Sequence, residues 1–144
     1  MLKRITKTAG ETYVKEYLLA EPVSAYMRRK SFSKQTRELQ FYEYRIDLYG
    51  FSRAKDLTIA IELKLHNWRR AIYQALIYQL CSDLVFIAVP ENIIARIDGI
   101  LLQEHGIGLL AVEGVARCRQ ILAPSLSPVV RPHYKEAYID LLTR

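Results

Sequence analysis

Cysteine is scarce in this chain: Cys81 and Cys118 are the only two among 144 residues. That excludes a disulfide framework, and their spacing matches no metal-ligand motif. Each falls within an apolar strand or helix pattern, so each is expected to be a buried thiol. The three histidines, His66, His105 and His133, lie far apart and form no zinc motif. No apolar run approaches the ~18 residues that a membrane-crossing helix needs. The opening Met1-Leu2-Lys3-Arg4-Ile5-Thr6 is basic but has no apolar signal core. Low-complexity tracts, repeats and long linkers are also missing. These absences predict a reduced, cytoplasmic protein with no membrane partner.

Acidic residues are outnumbered, 15 Asp and Glu against 21 Lys and Arg, giving a net charge of +6 and a pI near 9.4. Such a balance favours an anionic partner, most often nucleic acid, although it also serves plain solubility. Hydrophobic residues make up 51% and charged residues 25%, the composition of an ordinary globular domain. The length suits one domain, residues 1–144, with a sizeable core.

Periodicity outlines the elements. Tyr13, Val14, Tyr17 and Leu18 recur at helical spacing over 11–20. Pro22 fits the first turn of a second helical piece over 22–30, with Val23, Tyr26 and Met27 inward. Glu21 is expected to leave the helical region because a proline follows it, producing a bend at 20–22. Residues 37–50 alternate and read as one long strand ending at Gly50, followed by a polar hairpin connection over 51–56. In 57–65, Leu57, Ile59, Ile61, Leu63 and Leu65 point one way and Thr58, Ala60, Glu62 and Lys64 the other. Asn67 reads as the N-cap of a helix over 68–81 whose stripe is Trp68, Ile72, Ala75, Leu76 and Gln79. Leu84–Val89 is apolar on both faces, as a doubly covered central strand is. A helix over 92–104, a buried strand over 107–112, an edge strand over 116–122, a proline-bearing loop and a terminal helix over 133–143 complete the chain. The order predicts an α/β fold, a mixed central sheet with helices on both faces.

Three side chains in this frame carry chemistry. A hairpin brings Asp47, on the first strand, to Glu62 on the next, and strand alternation puts Lys64 on the face of Glu62. Phosphodiester hydrolysis needs an activated water, neutralised phosphate charge and a stabilised leaving oxygen, and a carboxylate-held divalent ion supplies all three. Mg²⁺ takes only one or two protein carboxylates and keeps several waters, so Asp47 and Glu62 suffice, with the Leu63 carbonyl available to complete the shell. Lys64 would orient or deprotonate the attacking water, or stabilise charge on phosphorus. An acid-x-Lys pair on a strand is more often a solvent-facing ion pair. The aliphatic opposite face and the doubly buried strand that follows argue against a solvated face here.

The anchors Arg45-Ile46-Asp47-Leu48-Tyr49-Gly50, Ile61-Glu62-Leu63-Lys64-Leu65 and Gln74-Ala75 resemble the PD-(D/E)XK nuclease superfamily, the fold of restriction endonucleases and archaeal Holliday-junction resolvases. The resemblance runs from about Glu21 to Val112, with Ile46 where the motif's proline would stand. It implies a restriction-endonuclease-like core and a metal-dependent DNA endonuclease using Mg²⁺ or Mn²⁺. Asp47 and Glu62 would be metal ligands and Lys64 the catalytic lysine. Gln74 would lie near the scissile phosphate, and Glu21, or in its place Glu16, would supply an extra acid from the first helix. Arg28, Arg29, Lys30 and Lys34, with Arg37, form a basic run before the first strand and, with Arg69 and Arg70, are candidate DNA contacts. Branched DNA cut by a homodimer is one substrate such a domain would suit. The tail around Tyr134, Tyr138, Ile139 and Leu142 would form the dimer face or dock on its own core. A non-cutting descendant of the same fold, binding nucleic acid or protein, is the competing function.

Overall fold

Which strands become central follows from where the apolar alternation is doubled. Leu84–Pro90 and Gly108–Glu113 are buried on both faces, and in the computed structural model, which describes residues 15–144, they are adjacent parallel strands. In chain order, a 3₁₀ helix over Glu16–Leu19 leads into α1 (Ala20–Arg29). Then come β1 (Lys34–Phe41), β2 (Tyr44–Ser52), β3 (Leu57–Leu63), α2 (Trp68–Tyr78) and β4 (Leu84–Pro90). A 3₁₀ helix over Glu91–Arg96, α3 (Gly99–Glu104), β5 (Gly108–Glu113), β6 (Arg117–Leu122) and α4 (Pro132–Thr143) follow. The expectations for Tyr13 and Val14 lie outside the described residues.

The six strands lie side by side in sequence order. β1, β2 and β3 are antiparallel, β3, β4 and β5 are parallel, and β6 returns antiparallel. Helices cover both faces. One apolar cluster joins Val23, Tyr26 and Met27 of α1 to Leu48, Ile59, Ile61, Phe86 and Leu110. The other joins Trp68, Ala71, Ile72, Ala75 and Tyr78 of α2 to Ala60, Val85, Ile87 and Leu109. Each fully buried Leu or Ile contributes about 1.5–3 kcal/mol of transfer free energy. Cys81 and Cys118 are buried free thiols, as expected, and burial pushes both up to about 12.

Four expectations change. The run over 37–50 is two strands, because a two-residue turn at Tyr42-Glu43 closes β1 onto β2 with Phe41 opposite Tyr44. Tyr42 takes a left-handed backbone (φ 54°) at the turn, an uncommon conformation for a bulky residue. Glu21 stays helical, one residue into α1. Pro22 is tolerated there because first-turn N–H groups have no intrahelical acceptor. Asn67 makes no side-chain cap to α2. The helix over 92–104 is broken at Ile97-Asp98. There Asp98 accepts from the Leu101 N–H at 3.2 Å and starts α3 afresh. The tail docks on its own sheet. Tyr134 meets Phe41 edge-on (5.1 Å), Tyr138 meets Tyr49 (5.2 Å), and the Tyr138 hydroxyl donates to the Gln40 carbonyl at 2.7 Å. No helix among the described residues is long and apolar enough to cross a membrane.

Candidate metal centre

Asp47 and Glu62 converge because β2 and β3 pair with Leu48 opposite Ile61, which sets Asp47 and Glu62 opposite each other one step further on. The β1–β2 ladder skips a pair at this point: Arg37 faces Leu48 and Leu39 faces Ile46, with no Glu38–Asp47 pair. Glu38 is left-handed there (φ 53°). Ile46 and Tyr49 both join the α2-side cluster while Leu48 joins the α1-side cluster, so side-chain alternation slips around Asp47. The register is the same on both sides of the gap, so the ladder is interrupted at Glu38 and Asp47 without the extra residue of a β-bulge. Here Asp47 Oδ2 turns to β3 and accepts the Leu63 N–H at 2.8 Å.

Glu62 is almost sealed, its side chain 4% exposed. Its Oε2 lies 3.3 Å from Lys64 Nζ, and its Oε1 accepts the Tyr78 hydroxyl at 2.8 Å. The same hydroxyl lies 3.0 Å from the Arg45 carbonyl, so Tyr78 ties α2 to both acid-bearing strands. The helical stripe read from the sequence did not include Tyr78. Only the crossing of α2 over the sheet reveals its role, and no local pattern carries that.

Electrostatics mark the pair. Burial pushes Glu62 up to about 7, with the Asp47 charge adding to it and the Tyr78 hydrogen bond and Lys64 opposing. Burial likewise pushes Asp47 up to about 6. The Leu63 N–H opposes this, Glu16 raises it further, and Lys64 and a hydrogen bond to Glu62 lower it. Tyr78 is itself raised by burial and by the carboxylates beside it. Two carboxyls facing each other in a dry site repel when ionised, and one ammonium offsets only part of that charge.

The other predicted residues divide. Gln74 stands one helical turn before Tyr78, on the α2 side that meets the sheet. It is half-buried, and its Oε1 is shielded from solvent without a hydrogen-bond partner among the described residues. Glu21 stands apart. Its side chain is 68% exposed and paired with Arg37 at 2.8 Å and Arg28 at 3.5 Å, and Arg37 chiefly holds its carboxyl below the usual range. Glu16 is the acid that reaches the site, since its charge acts on Asp47 and its Oε2 lies 3.5 Å from the Leu65 N–H.

The basic run goes elsewhere. Arg28 donates to Ser24 Oγ at 2.9 Å, Arg29 to the Cys118 carbonyl at 3.3 Å, and Lys30 lies over the Tyr26 ring at 5.6 Å. Lys34 pairs with Phe51, at the end of β2 remote from Asp47. The structure therefore does not bring these cations to the acids. Arg69 and Arg70 open α2, just beyond the carboxyl end of β3. Arg69 lines a cleft there with His66 and Arg96. Sequence reading missed Arg96, because only the fold brings the 3₁₀ helix after β4 beside the start of α2.

The donor set suits a hard divalent cation. No group of three or more His, Cys, Asp or Glu gathers among the described residues. Asp47, Glu62 and the Leu63 carbonyl would be the protein's ligands, with water filling the rest, as Mg²⁺ prefers. The mutual repulsion of the carboxyls and the orphaned Gln74 oxygen both fit a site completed by a cation and its waters.

No family model and no curated protein matches the chain. Among solved structures it is similar to a protein of unknown function from Silicibacter pomeroyi. The two are 21% identical, with a TM-score of 0.67 over 86% of this chain and 80% of the other. At that identity the likeness shows a common fold.

Proposed function

We propose that this protein is a metal-dependent deoxyribonuclease with a restriction-endonuclease-like, PD-(D/E)XK-type fold. The carrying observation is the convergence of Asp47 and Glu62, one step beyond the last β2–β3 pair Leu48–Ile61, with the Lys64 ammonium 3.3 Å from Glu62. The resemblance implies a core in the order α-β-β-β-α-β, and the elements α1-β1-β2-β3-α2-β4 run in that order.

When bound, a Mg²⁺ or Mn²⁺ ion would neutralise phosphate charge and acidify water. The chain's own residues have separate tasks. Asp47, fixed by the Leu63 N–H, and Glu62, fixed by Tyr78, present carboxyl oxygens that each keep a second lone pair for a further partner. Lys64, only 14% exposed, holds a cation in a low-dielectric site, where it stabilises negative charge building up on a phosphate more strongly than it would in water. Gln74 offers an acceptor to orient water.

The second reading, a nuclease-fold protein that binds without cutting, draws on one observation. Each Glu62 oxygen and one Asp47 oxygen already have a protein partner, as a purely structural network would.

The test is incubation with linear, single-stranded and four-way-junction DNA, with and without Mn²⁺. Cleavage of at least one substrate with Mn²⁺ is expected, falling by about 10²-fold or more in Glu62→Ala and Lys64→Ala, the scale of losing an electrostatic catalytic group. Cleavage unchanged in both variants would contradict the site, and no cleavage of any substrate would favour the second reading.

A further inference from the structure

The segments that follow the carboxyl ends of β3 and β4, including the start of α2 and the 3₁₀ helix Glu91–Arg96, border a cleft of about 280 Å³ lined by His66, Asn67, Trp68, Arg69, Ile93 and Arg96. Ligands in α/β sheets bind outside the carboxyl ends of parallel strands, and β3 and β4 are such a pair. His66 is two residues beyond Lys64, so the Cα atoms of the two are at most about 7 Å apart. The cleft is therefore next to the acidic pair and distinct from it.

Its chemistry is that of an anion site. Two arginines from separate elements converge, a histidine joins them, and no acid among the described residues lines the wall. Neither arginine has an acidic partner among the described residues. Glu91, at the start of the helix that carries Arg96, is taken by Arg119 at 2.8 Å. The Arg69 guanidinium lies over the Trp68 ring, 4.5 Å from its centroid, so an aromatic face positions it and its donors stay available. Trp68 and Ile93 give the wall an apolar part that suits a sugar. The volume is at the low end for a small-ligand pocket, room for one sugar-phosphate unit of a strand.

We propose that this cleft binds the sugar-phosphate backbone of a DNA strand, gripping with Arg69 and Arg96 a phosphate that neighbours the one presented to Glu62 and Lys64. The assignment rests on the nuclease reading for what happens next door and on the cleft's own geometry for binding. It also gives the strand a direction, from the α2 end of the sheet across the acids. The cations at the far end, Lys30 among them, are outside that path.

Trp68 is the chain's only tryptophan and lines the cleft, so its fluorescence reports occupancy directly. The probe is a fluorescein-labelled oligothymidylate of about eight nucleotides, titrated without divalent ions, with label anisotropy and Trp68 emission read in parallel. Wild-type protein is expected to bind saturably with a change in Trp68 emission. Arg69→Ala and Arg96→Ala should each weaken binding by about tenfold and lower the salt dependence by about one ion, while Lys30→Ala leaves both unchanged. Oligonucleotide binding that is absent, silent at Trp68, or equal in Arg69→Ala and Arg96→Ala would overturn the proposal. The two readings fail separately. Binding through the cleft with no cleavage of any DNA would remove the nuclease reading alone, and cleavage with unaltered binding in both arginine variants would remove the cleft alone.

Discussion

Glu62 and Asp47 stay protonated further up the pH scale than ordinary carboxyls, and that has a thermodynamic consequence. With Glu62 at about 7 and Asp47 at about 6, the cation-free folded chain holds protons that the unfolded chain releases near pH 4. Stability from this pair is present in full below that pH and is lost as pH rises through 6 to 7. Glu62→Gln removes one carboxyl and relieves the other. In chelator, urea unfolding at pH 5 and pH 8 should show the variant gaining on wild type by on the order of 2 kcal/mol at the higher pH. Parallel profiles would mean that the two carboxyls do not oppose each other in the folded protein.

At the scale of elements, the N-terminal helical segment brings the charge of Glu16, rather than that of Glu21, to bear on Asp47. Glu21 spends its charge on Arg37 and Arg28, whereas Glu16 acts on Asp47. Under the nuclease reading, Glu21→Gln should leave Mn²⁺-dependent cleavage within about twofold of wild type, a surface change being nearly neutral. Glu16→Gln should move the acidic limb of the pH–rate profile to lower pH, since a charge that raises Asp47 is gone. The opposite pattern would return the role to Glu21. The sheet makes its own prediction at Gly108, which faces Phe86 across β4 and β5. A Cβ there would lie 2.6 Å from the buried Phe86 ring and 3.0 Å from Pro124. Gly108→Ala should cost about 1–3 kcal/mol in chemical denaturation, with part of it recovered in Gly108→Ala/Phe86→Leu.

The elements that were legible in the sequence were those with an undiluted period. Strand β3, the α2 stripe and the doubly apolar β4 are all spelled out by alternation or helical spacing, and with them the shared face of Glu62 and Lys64. The turn at Tyr42-Glu43 was not legible, because it carries no glycine, asparagine or proline to mark it. The interruption of the ladder at Asp47 coincides with left-handed Glu38 in the opposite strand, which no pattern in β2 itself announces. Tyr78 and Arg96 gained their roles from chain crossings, which no local window contains.

Over the whole molecule, charge and topology point the same way. The net charge of +6 is not spread evenly. One set of cations is engaged around Tyr26 and β6, while Arg69 and Arg96 stand at the strand ends beside the acids. Under the nuclease reading, buried Glu62 and half-buried Asp47, with Lys64 beside them and a cationic cleft next to them that no described acid lines, would form one surface for a polyanion and a divalent ion. Calorimetric titration of Mn²⁺ into the protein at pH 8 tests that account most directly. Wild type should bind one ion per chain, and Glu62→Gln should lose affinity by about tenfold or more. Equal heats in the two proteins, or no binding to wild type, would contradict it.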